Sequence, residues 1–375
     1  MIGTLLGGLT PQQFLQRHWQ KKPLLVRQAI PGFAGVMERD RLLALALRDD
    51  VESRLVECIA GRWAVARGPL ERRDLRRRPH PWTVLVQGVN LHVDAADDLL
   101  RRFDFVPWSR LDDLMISYAV DGGGVGAHFD SYDVFLLQAS GRRRWRIGAQ
   151  RDLAVIEDAP LRILRDFRPS REWVLDPGDM LYLPPHYAHD GVAVGECMTY
   201  SIGFRAPSVQ ELAARFLAHL EERIDLPGRY RDPDLKLQAH PGEISPAMLR
   251  QTGALLERIR WSDRDVREFL GCYLSEPKPQ VFFSAPARPL GAASFARRCA
   301  GTGVRLDPKT QMLFAGSGFY INGERVPVEA ADRPTLRRLA DRRRLGAAEP
   351  RSASALDLLY DWYRHGFLLI GAHSR

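Results

Sequence analysis

The sequence is poor in cysteine and in long apolar runs, and both shortages exclude classes of protein. Its 375 residues include four cysteines, Cys58, Cys197, Cys272 and Cys299, and no two of them form a CxxC pair. Such sparse cysteines exclude a disulfide framework and a cysteine-rich zinc site, and they are typical of a reducing compartment. No apolar run approaches the roughly 20 residues that cross a bilayer, and the N-terminus lacks the regions of a signal peptide. We therefore expect a cytoplasmic protein without membrane association.

Acidic residues are in the minority, and the chain is long enough for more than one domain. Lys and Arg number 54 against 46 Asp and Glu, which gives a net charge of +8 and an isoelectric point near 9.5. This excess indicates an anionic partner such as nucleic acid or a ribonucleoprotein. The arginine-rich composition of a GC-rich genome produces the same charge, so charge alone does not decide. The length predicts two or three domains.

Short apolar segments separated by Gly, Pro and Asp turns fill residues 1–206, and this spacing predicts an antiparallel sandwich or barrel. Thr10 and Pro11 mark the start of a helix that precedes it. The predicted strands are 82–90, 113–120, 132–139, 143–148, 178–185 and 198–204. We expect the first of the domains to end at residue 206.

Residues 207–276 change to helical periodicity. Ser208 and Glu211 form a capping box, and two further helix starts have a serine, Ser245 or Ser262, at the cap position. Three amphipathic helices in so short a segment cannot bury a core by themselves. They must pack on the rest of the chain or on a second copy of it, so we expect a homodimer.

The segment 275–280 is a linker candidate, because its two prolines interrupt both periodicities, and residues 277–375 form the third predicted domain. A strong hairpin signal at Asn322 and Gly323, mixed with helices in a basic segment, resembles a winged-helix module. The pattern predicts either contact with ribosomal RNA or a solvated charged face for its basic helix. The arginines of that helix are Arg337, Arg338, Arg342, Arg343 and Arg344.

A His-x-Asp pair in "AHFDSYDVFLLQASGRRRWR" carries the first chemical signal. If this stretch is extended, His128, Asp130 and Tyr132 share one face, which places an imidazole beside a carboxylate as in a two-ligand metal clamp. A third ligand would complete a 2-His-1-carboxylate triad with open positions. His186 and His189 are the candidates, and we favour His189 because the two prolines before them commit the nearer histidine to a turn. Satisfied histidines in a non-catalytic barrel, or a site for another metal that imidazole and carboxylate also bind, would give the same pattern.

Strand parity separates one arginine from its neighbours. After a turn at "ASG", Arg143 shares a face with Trp145, whereas Arg142, Arg144 and Arg146 share the opposite face. An inward guanidinium needs an anion, and a dicarboxylate cosubstrate would supply one. In "DLMISYAV", Ser117 and Asp113 alternate onto one face, where Asp113 would attract a cationic side chain or simply belong to a turn.

The stretches "GGGVGAHFDSYDVFLLQASGRRRWRIG", "PGDMLYLPPHYAHDG" and "TYSIGFRAP", together with the N-terminal "FLQRHWQKKPLLV", closely resemble the bacterial ribosomal oxygenases of the cupin/JmjC class. The resemblance extends to about residue 207, and the order of segments behind it is similar to the family's dimerisation and C-terminal modules. It implies a double-stranded β-helix, or cupin/JmjC jelly roll, as the catalytic domain. A helical dimerisation domain and a winged-helix-like α+β domain would follow.

The same resemblance implies an Fe(II)- and 2-oxoglutarate-dependent dioxygenase that uses dioxygen to hydroxylate an arginine of a large-subunit ribosomal protein. His128, Asp130 and His189 would ligate the iron, and Arg143 with Ser117 would bind 2-oxoglutarate. The residues implied to receive the substrate arginine are Asp113, Tyr132 and Ser201. The chain departs from the family pattern at Ala127 and Ala188, where proline is common, and in the additional His186.

Two alternatives stay open at the level of sequence. The chemistry could act on histidine or on another residue of a protein, as in related eukaryotic oxygenases. A cupin barrel could instead sense a small ligand for a nucleic-acid-binding regulator, with the winged-helix-like module as the working part.

Overall fold

Nine strands and four short helices make up the first 206 residues in the computed structural model, which describes residues 2–76, 79–347, 349 and 351–371. The strands are β1 (Leu24–Val26), β2 (Ser53–Ile59), β3 (Arg62–Arg67), β4 (Trp82–Val86), β5 (Leu111–Ala119), β6 (Val134–Gly148), β7 (Arg171–Leu175), β8 (Met180–Leu183) and β9 (Ala188–Phe204). The helices are α1 (Ile2–Leu5), α2 (Pro11–Arg17), α3 (Arg39–Leu45) and α4 (Asp94–Leu100). The predicted helix start at Thr10 is confirmed, because Thr10 and Gln13 cap α2 reciprocally.

All the strands pair antiparallel in the order β1-β8-β6-β9-β5-β4-β2-β3, and β7 pairs with β6 outside this path. The two longest strands, β6 and β9, pair from Val134↔Gly203 to Gly148↔Ala188. The first half of β6 also pairs with β8, and its second half pairs with β7. The β6–β9 pair is therefore the continuous spine on which the sheet bends, and the mainly antiparallel β architecture is confirmed.

The predicted turn at Ala139-Ser140-Gly141 was wrong, because β6 runs through it without ending. Register shifts at Ser140 mark bulges, which bend a strand and increase its twist. Gly141 has a φ of 58°, and a Cβ there would collide with the carbonyl oxygen of Glu196. One strand thus changes direction at a glycine where the sequence suggested two strands and a turn.

The bent sheet has a packed face and a face that surrounds a cavity. Leu114, Ile116 and Tyr118 of β5 pack in the main hydrophobic core with Phe135 and Leu137 of β6. The alternate residues of the same strands face the cavity, as strand geometry requires.

The segment behind the sheet contains α5 (Val209–Glu221), α6 (Pro246–Leu256) and α7 (Asp263–Ser275). Ser208 and Ser245 cap the first two helices by accepting the N–H groups of Glu211 and Met248 at 3.0 and 3.1 Å. No side chain of α6, which the structure describes completely, is buried. Leu249 and Leu256 are 61% and 59% exposed, so α6 adds no buried side chain to a core, whereas Leu220 of α5 and Phe269 of α7 are buried.

The C-terminal region combines helices with two small antiparallel sheets. The strands are β10 (Val304–Leu306), β11 (Met312–Ala315), β12 (Gly318–Ile321), β13 (Glu324–Val326), β14 (Arg344–Leu345) and β15 (Leu368–Ile370), and the helices are α8 (Ala292–Thr302), α9 (Arg333–Arg342) and α10 (Ala353–Arg364). The sheet orders are β14-β10-β15 and β11-β12-β13. The predicted hairpin is confirmed: Asn322 and Gly323, with φ of 50° and 92°, connect β12 to β13.

The C-terminal region contacts the first domain, and part of the basic helix takes part in that contact. Arg343 does not face solvent, because its guanidinium is buried and donates to the carbonyls of Thr310 and Asp307 at 2.7 and 2.8 Å. It also lies 3.9 Å from Asp97 of α4. The expectation that Arg343 belongs to a solvated or RNA-binding face is therefore corrected, since its donors serve a folded core.

Within the described residues, no helix combines the length and the apolar character that a membrane span requires. The proposed boundaries at residues 206 and 276 stay predictions. Helix α7 contacts both α5 and the β11–β13 sheet, so it connects the two regions that the second boundary divides.

Candidate metal and cosubstrate site

A cavity of about 530 Å³ opens on the concave side of the bent sheet. Strands β5, β6 and β9 supply most of its inner wall, and the loop of residues 125–132 supplies its rim. The residues that line it include His128, Asp130, Tyr132, Asp113, Ser117, Arg143, His189 and Ser201. The cavity therefore brings together all eight residues that the sequence predicts for the site.

His128, Asp130 and His189 form a cluster in which one ligand atom from each residue lies within 4.8 Å of the others. The Nε2 of His189 is 3.6 Å from Oδ2 of Asp130, and the two imidazole rings are 4.2 Å apart between centroids. The backbones of His128 and His189 exchange N–H···O bonds of 2.9 and 2.8 Å. Strand pairing thus holds the two imidazole rings next to each other and close to the carboxylate of Asp130.

The hydrogen bonds of both histidines direct Nε2 toward the cluster. Nδ1 of His128 donates to the carbonyl of Gly126, and Nδ1 of His189 donates to the carbonyl of Tyr187, both at 2.9 Å. A histidine that ligates a metal usually donates its other ring nitrogen in this way. Burial, together with the neighbouring His128, lowers the pKa of His189 to about 4, so its imidazole is neutral and its Nε2 lone pair is free. Two imidazoles and one carboxylate are the donor set of non-haem Fe(II) oxygenases.

His186 lies outside this cluster. Its side chain is exposed, its backbone has a φ of 61°, and its ring packs 5.8 Å from the ring of Phe129. Its backbone N–H donates to the carbonyl of Asp130 at 2.7 Å. His186 therefore supports the loop that carries Asp130 and does not offer its imidazole to the cluster.

The extended conformation predicted for residues 128–135 was only partly right. His128 makes one isolated bridge, and the regular strand begins at Val134. Phe129 and Ser131, which strict alternation would turn away, also line the cavity. The loop therefore places more side chains around the cavity than a strand would.

Arg143 lies inside the cavity wall and is 3% exposed. Its NH1 donates to Oγ of Ser117 at 3.2 Å, and its NH2 donates to the carbonyl of Gly191 at 3.1 Å. Within the described part of the chain, it forms no salt bridge and its Nε has no hydrogen-bond partner. Burial lowers the pKa of Arg143, as expected for a charge without a paired anion. Its N–H groups can donate hydrogen bonds to a carboxylate group of 2-oxoglutarate.

Two residues near Arg143 escaped the sequence analysis. Thr199 lies 3.4 Å from NH1 of Arg143 through its Oγ1, and this hydroxyl donates to Gln138 at 2.9 Å. Gly191 leaves room for the guanidinium, because a Cβ there would lie 2.9 Å from Nε of Arg143. Both could have been found by parity, since Thr199 lies two residues before Ser201 and Gly191 lies two residues after His189 on the same strand.

Asp113 lines the cavity from β5, the strand that also carries Ser117, and is buried. Its Oδ2 accepts the N–H of Gly88 at 2.9 Å, and a Cβ at Gly203 would lie 3.6 Å from its Oδ1. Burial raises the pKa of Asp113 to about 6. The carboxylate is therefore held by one backbone donor and keeps an oxygen toward the cavity, where it can accept a cation.

Tyr132 and Ser201 line the same cavity as Asp113. Tyr132 is 41% exposed at the rim, and burial of its hydroxyl end beside Asp130 and Asp113 raises the pKa of the phenol. Ser201 is buried and pairs with Met115 across β5 and β9. Because its pKa is raised, the phenol of Tyr132 stays protonated at neutral pH and can donate a hydrogen bond.

The arginines of opposite parity on β6 follow the prediction with one correction. Arg142 and Arg144 are exposed. Arg146 instead donates to Asp190 at 2.5 Å and lies over the ring of Phe167. It therefore has a protein partner of its own and does not meet only water or RNA.

Comparison with known proteins agrees with this geometry. A JmjC domain model matches residues 98–212, and a ROXA-like winged-helix model matches residues 258–369. The E. coli protein "Ribosomal protein uL16 3-hydroxylase" is 35% identical over 333 residues, which cover 87% of each chain. The chain belongs to the ribosomal oxygenase family. This membership confirms the predicted cupin/JmjC jelly roll followed by a winged-helix domain.

Two further proteins described as ribosomal oxygenases are similar to this chain. A "Probable ribosomal oxygenase" of Haemophilus influenzae is 40% identical over 61% of this chain and 56% of its own length. A structure of E. coli YcfD, described as a ribosomal oxygenase in complex with cobalt and 2-oxoglutarate, superposes with a TM-score of 0.83 at 32% identity. It covers 97% of this chain and 99% of that chain.

A third family model, for an AraC-like ligand binding domain, matches residues 169–264. This range includes His189 but neither His128 nor Asp130, so it covers only part of the metal cluster. The winged-helix match begins before α7 and thus includes a helix that the sequence analysis assigned to the dimerisation segment.

Proposed function

We propose that this ribosomal oxygenase is an Fe(II)- and 2-oxoglutarate-dependent dioxygenase that hydroxylates an arginine side chain of a large-subunit ribosomal protein. One observation carries the proposal: a 2-His-1-carboxylate cluster shares a cavity with a buried arginine that has no carboxylate partner among the described residues. The name of the E. coli relative supports a ribosomal protein as substrate. A regulator that only senses a small molecule would not need a metal centre with open coordination positions.

The metal end of the cavity is built to hold Fe(II) without reorganising. Nε2 of His128, Nε2 of His189 and a carboxylate oxygen of Asp130, which lie close together, would be the three ligands. The carbonyls of Gly126 and Tyr187 fix the ring orientations. Bound iron with 2-oxoglutarate and dioxygen supplies the oxidising chemistry, in which one oxygen atom enters the substrate and the other enters succinate as carbon dioxide leaves.

Arg143 positions the cosubstrate. Its guanidinium pairs with the carboxylate of 2-oxoglutarate that is distant from the metal, and Ser117 contributes a hydroxyl beside NH1. Thr199 adds a second hydroxyl at this point. Because these groups lie on paired strands, their spacing is fixed before the ligand arrives, which lowers the cost of ordering on binding.

Asp113, Tyr132 and Ser201 position the substrate. The carboxylate of Asp113 pairs with the substrate guanidinium, and the Tyr132 hydroxyl at the rim and the buried Ser201 hydroxyl offer further hydrogen bonds. The effect of these contacts is to orient one C–H bond of the arginine side chain toward the metal. Wrong orientation by about 1 Å is sufficient to lose most of the rate.

The exposed apolar side chains of α5 and α6 support the further proposal of a homodimer. Val209 and Leu217 of α5 and Leu249 of α6 are 85%, 63% and 61% exposed, and burying such surface against a second copy is favourable. The ribosomal substrate supports a cytoplasmic site of action. Contact with ribosomal RNA stays a prediction that rests on the net charge of +8 and on exposed residues such as Arg342 and Arg344.

The test of the function is turnover with defined peptides. The protein, iron, ascorbate and 2-oxoglutarate are incubated with ribosomal peptides that contain arginine, and succinate is measured with the mass of each peptide. We expect stoichiometric succinate and a gain of about 16 mass units, which is one oxygen atom, on the arginine residue. Peptides with lysine in place of that arginine serve as the matched control. Hydroxylation of a histidine peptide alone would assign the enzyme a different target, and tight nucleic-acid binding without turnover would favour the regulator.

The metal ligands are tested by a pair of neighbouring histidines. His189→Ala is expected to lose iron at concentrations that saturate the wild type, whereas His186→Ala is expected to retain it. Iron content after gel filtration gives the answer independently of turnover. Loss of iron from His186→Ala with retention by His189→Ala would reverse the assignment of the third ligand.

A further inference from the structure

A second, smaller cavity of about 70 Å³ lies behind the substrate wall, between the first domain and the linker that follows α7. Gln87, Asp112 and Asp113 line both this cavity and the metal-containing cavity. These three residues therefore form a wall between the two cavities. The proposed substrate pocket lies on one side of this wall, and the linker lies on the other. Lys278 of the linker lines only the smaller cavity.

Lys278 is the nearest cation behind this wall. Its Nζ is 3.0 Å from Oδ1 of Asp112, and its charge is the largest favourable influence on the ionised form of Asp113. Arg205 is more distant from Asp112, with its Nε 4.0 Å from the same oxygen. The buried Asp113 and the partly exposed Asp112 are adjacent carboxylates that repel one another, so a cation placed between the linker and the wall makes their joint ionisation less costly.

The linker is held so that Lys278 stays in this place. Pro277 and Pro279 flank it and restrict its backbone. Ser275, just before it, is buried and accepts the N–H of Gly323 at 3.1 Å. Gln280, just after it, donates to Glu52 at 3.1 Å. The sequence predicted a linker here, and in the structure this linker is hydrogen-bonded to both domains.

We propose that Lys278 is a positioning residue of the substrate pocket, which supports the charge of Asp112 and Asp113 from behind so that Asp113 presents a carboxylate to a cationic substrate side chain. This inference rests on the proposed function, because it requires Asp113 to receive the substrate. It also means that the substrate pocket is completed by a residue outside the jelly roll. The winged-helix side of the molecule thereby contributes to catalysis without touching the substrate.

Several other charged groups surround Asp113 and must be held constant in a test. The pKa of Asp113 is raised to about 6 as the net result of burial, Asp112 and Glu52, which raise it, and of Lys278 and the N–H of Gly88, which lower it. Tyr132 faces Asp113 from the rim, and Arg54 lines the same cavity. Removing the charge of Lys278 leaves all of these in place, so its effect is seen as a shift of an existing titration.

The experiment compares kcat/KM for an arginine peptide between pH 5.5 and 8.5 in the full-length wild type and three variants. Lys278→Met removes the charge and Lys278→Arg keeps it. Lys309→Met removes a lysine that lines the same cavity but donates to the carbonyl of Phe282, just after the linker. We expect Lys278→Met to raise the acid limb by about one pH unit, which corresponds to a loss of about fivefold at pH 6 and of less than twofold at pH 8.5. The loss should lie in KM, and Lys278→Arg should follow the wild type.

Peptide affinity measured without oxygen, on protein that carries iron and 2-oxoglutarate, should show the same shift. An unshifted profile for Lys278→Met, an increase in its activity, or an equal loss at every pH would overturn the inference. So would a profile for Lys309→Met that matches that of Lys278→Met, because the cause would then be linker packing. Absence of wild-type turnover on arginine peptides would instead defeat the proposed function, so the two failures are distinguishable.

Discussion

Two buried arginines, one in each of the large domains, show how similar burial serves different ends. Arg143 in the catalytic cavity and Arg343 behind α9 are 3% and 8% exposed. Arg343 donates to three backbone carbonyls, those of Asp307, Pro308 and Thr310, and lies near Asp97. Arg143 contacts two hydroxyls and one carbonyl, has no salt bridge among the described residues, and faces a cavity of about 530 Å³.

The difference teaches that burial of a guanidinium is not by itself a sign of ligand binding. A buried charge is costly unless donors and carboxylates around it compensate. For Arg343 the protein supplies three carbonyls and a carboxylate 3.9 Å from Nε, although burial still lowers the pKa of its guanidinium to about 9. For Arg143 the protein compensates the buried charge only in part, and the cavity leaves room for an anion that completes the compensation. Incomplete compensation beside a cavity is therefore the feature that distinguishes a binding arginine from a structural one.

Replacing Arg143 should have the largest effect on cosubstrate binding. Arg143→Met removes a bidentate, charge-assisted contact, so we expect the affinity for 2-oxoglutarate to fall by about 100-fold or more. The unfolding free energy should stay unchanged or rise, because an uncompensated buried charge is removed. Calorimetric titration with 2-oxoglutarate and urea unfolding measure the two effects. Retained affinity for 2-oxoglutarate would remove Arg143 from the cosubstrate site.

Replacing Arg343 should show the opposite pattern. Arg343→Met leaves buried carbonyls without donors, so we expect a loss of about 3 kcal/mol in the free energy of unfolding. The affinity for 2-oxoglutarate should not change, since Arg343 lies outside the cavity. Urea unfolding with an unchanged m-value is the measurement. If Arg343→Met weakened 2-oxoglutarate binding as much as Arg143→Met, the contrast between the two arginines would collapse.

Sequence reasoning found Arg143 and misjudged Arg343, and the reason is physical. Strand parity depends only on local alternation. Arg143 and Trp145 therefore face the same cavity, as predicted, although β6 is one bent strand and not two. Arg343 follows the last residue of α9 and has a φ of 58°. A helix pattern would place it on the exposed face, but the left-handed residue ends the helix and turns the side chain into the core.

The same distinction explains the rest of the site. His128, Asp130 and His189 could be predicted because local spacing and one backbone pairing bring them together. The role of Lys278 could not, because its contact with Asp112 joins residues far apart in the sequence and depends on how two domains pack. Loop conformation was equally out of reach, since residues 129–133 depart from the strand geometry on which the parity argument relied.

The hydroxyls around Arg143 should each contribute less than the guanidinium. Ser117→Ala and Thr199→Val remove neutral groups that contact NH1, so we expect each to weaken 2-oxoglutarate binding by about tenfold or less. Ser53→Ala is a matched control, because Ser53 is equally buried but donates to the carbonyl of Ala46 outside the cavity. Titration of the three variants with 2-oxoglutarate checks this, and an effect of Ser53→Ala equal to that of Ser117→Ala would indicate a general loss of stability.

The smallest effects should come from the arginines that flank Arg143. Arg144 is exposed on the other face of β6, so Arg144→Ala should change the free energy of unfolding by no more than about 0.5 kcal/mol and leave 2-oxoglutarate affinity unchanged. Arg146→Ala should cost about 1 kcal/mol, because it breaks an ion pair whose partner, Asp190, is buried. Of the three arginine replacements, only Arg143→Met should weaken cosubstrate binding, and Arg146→Ala should cost more stability than Arg144→Ala. If Arg144→Ala impaired cosubstrate binding as severely as Arg143→Met, side-chain parity on β6 would have to be reversed, and the anion would lie on the outer face of the sheet.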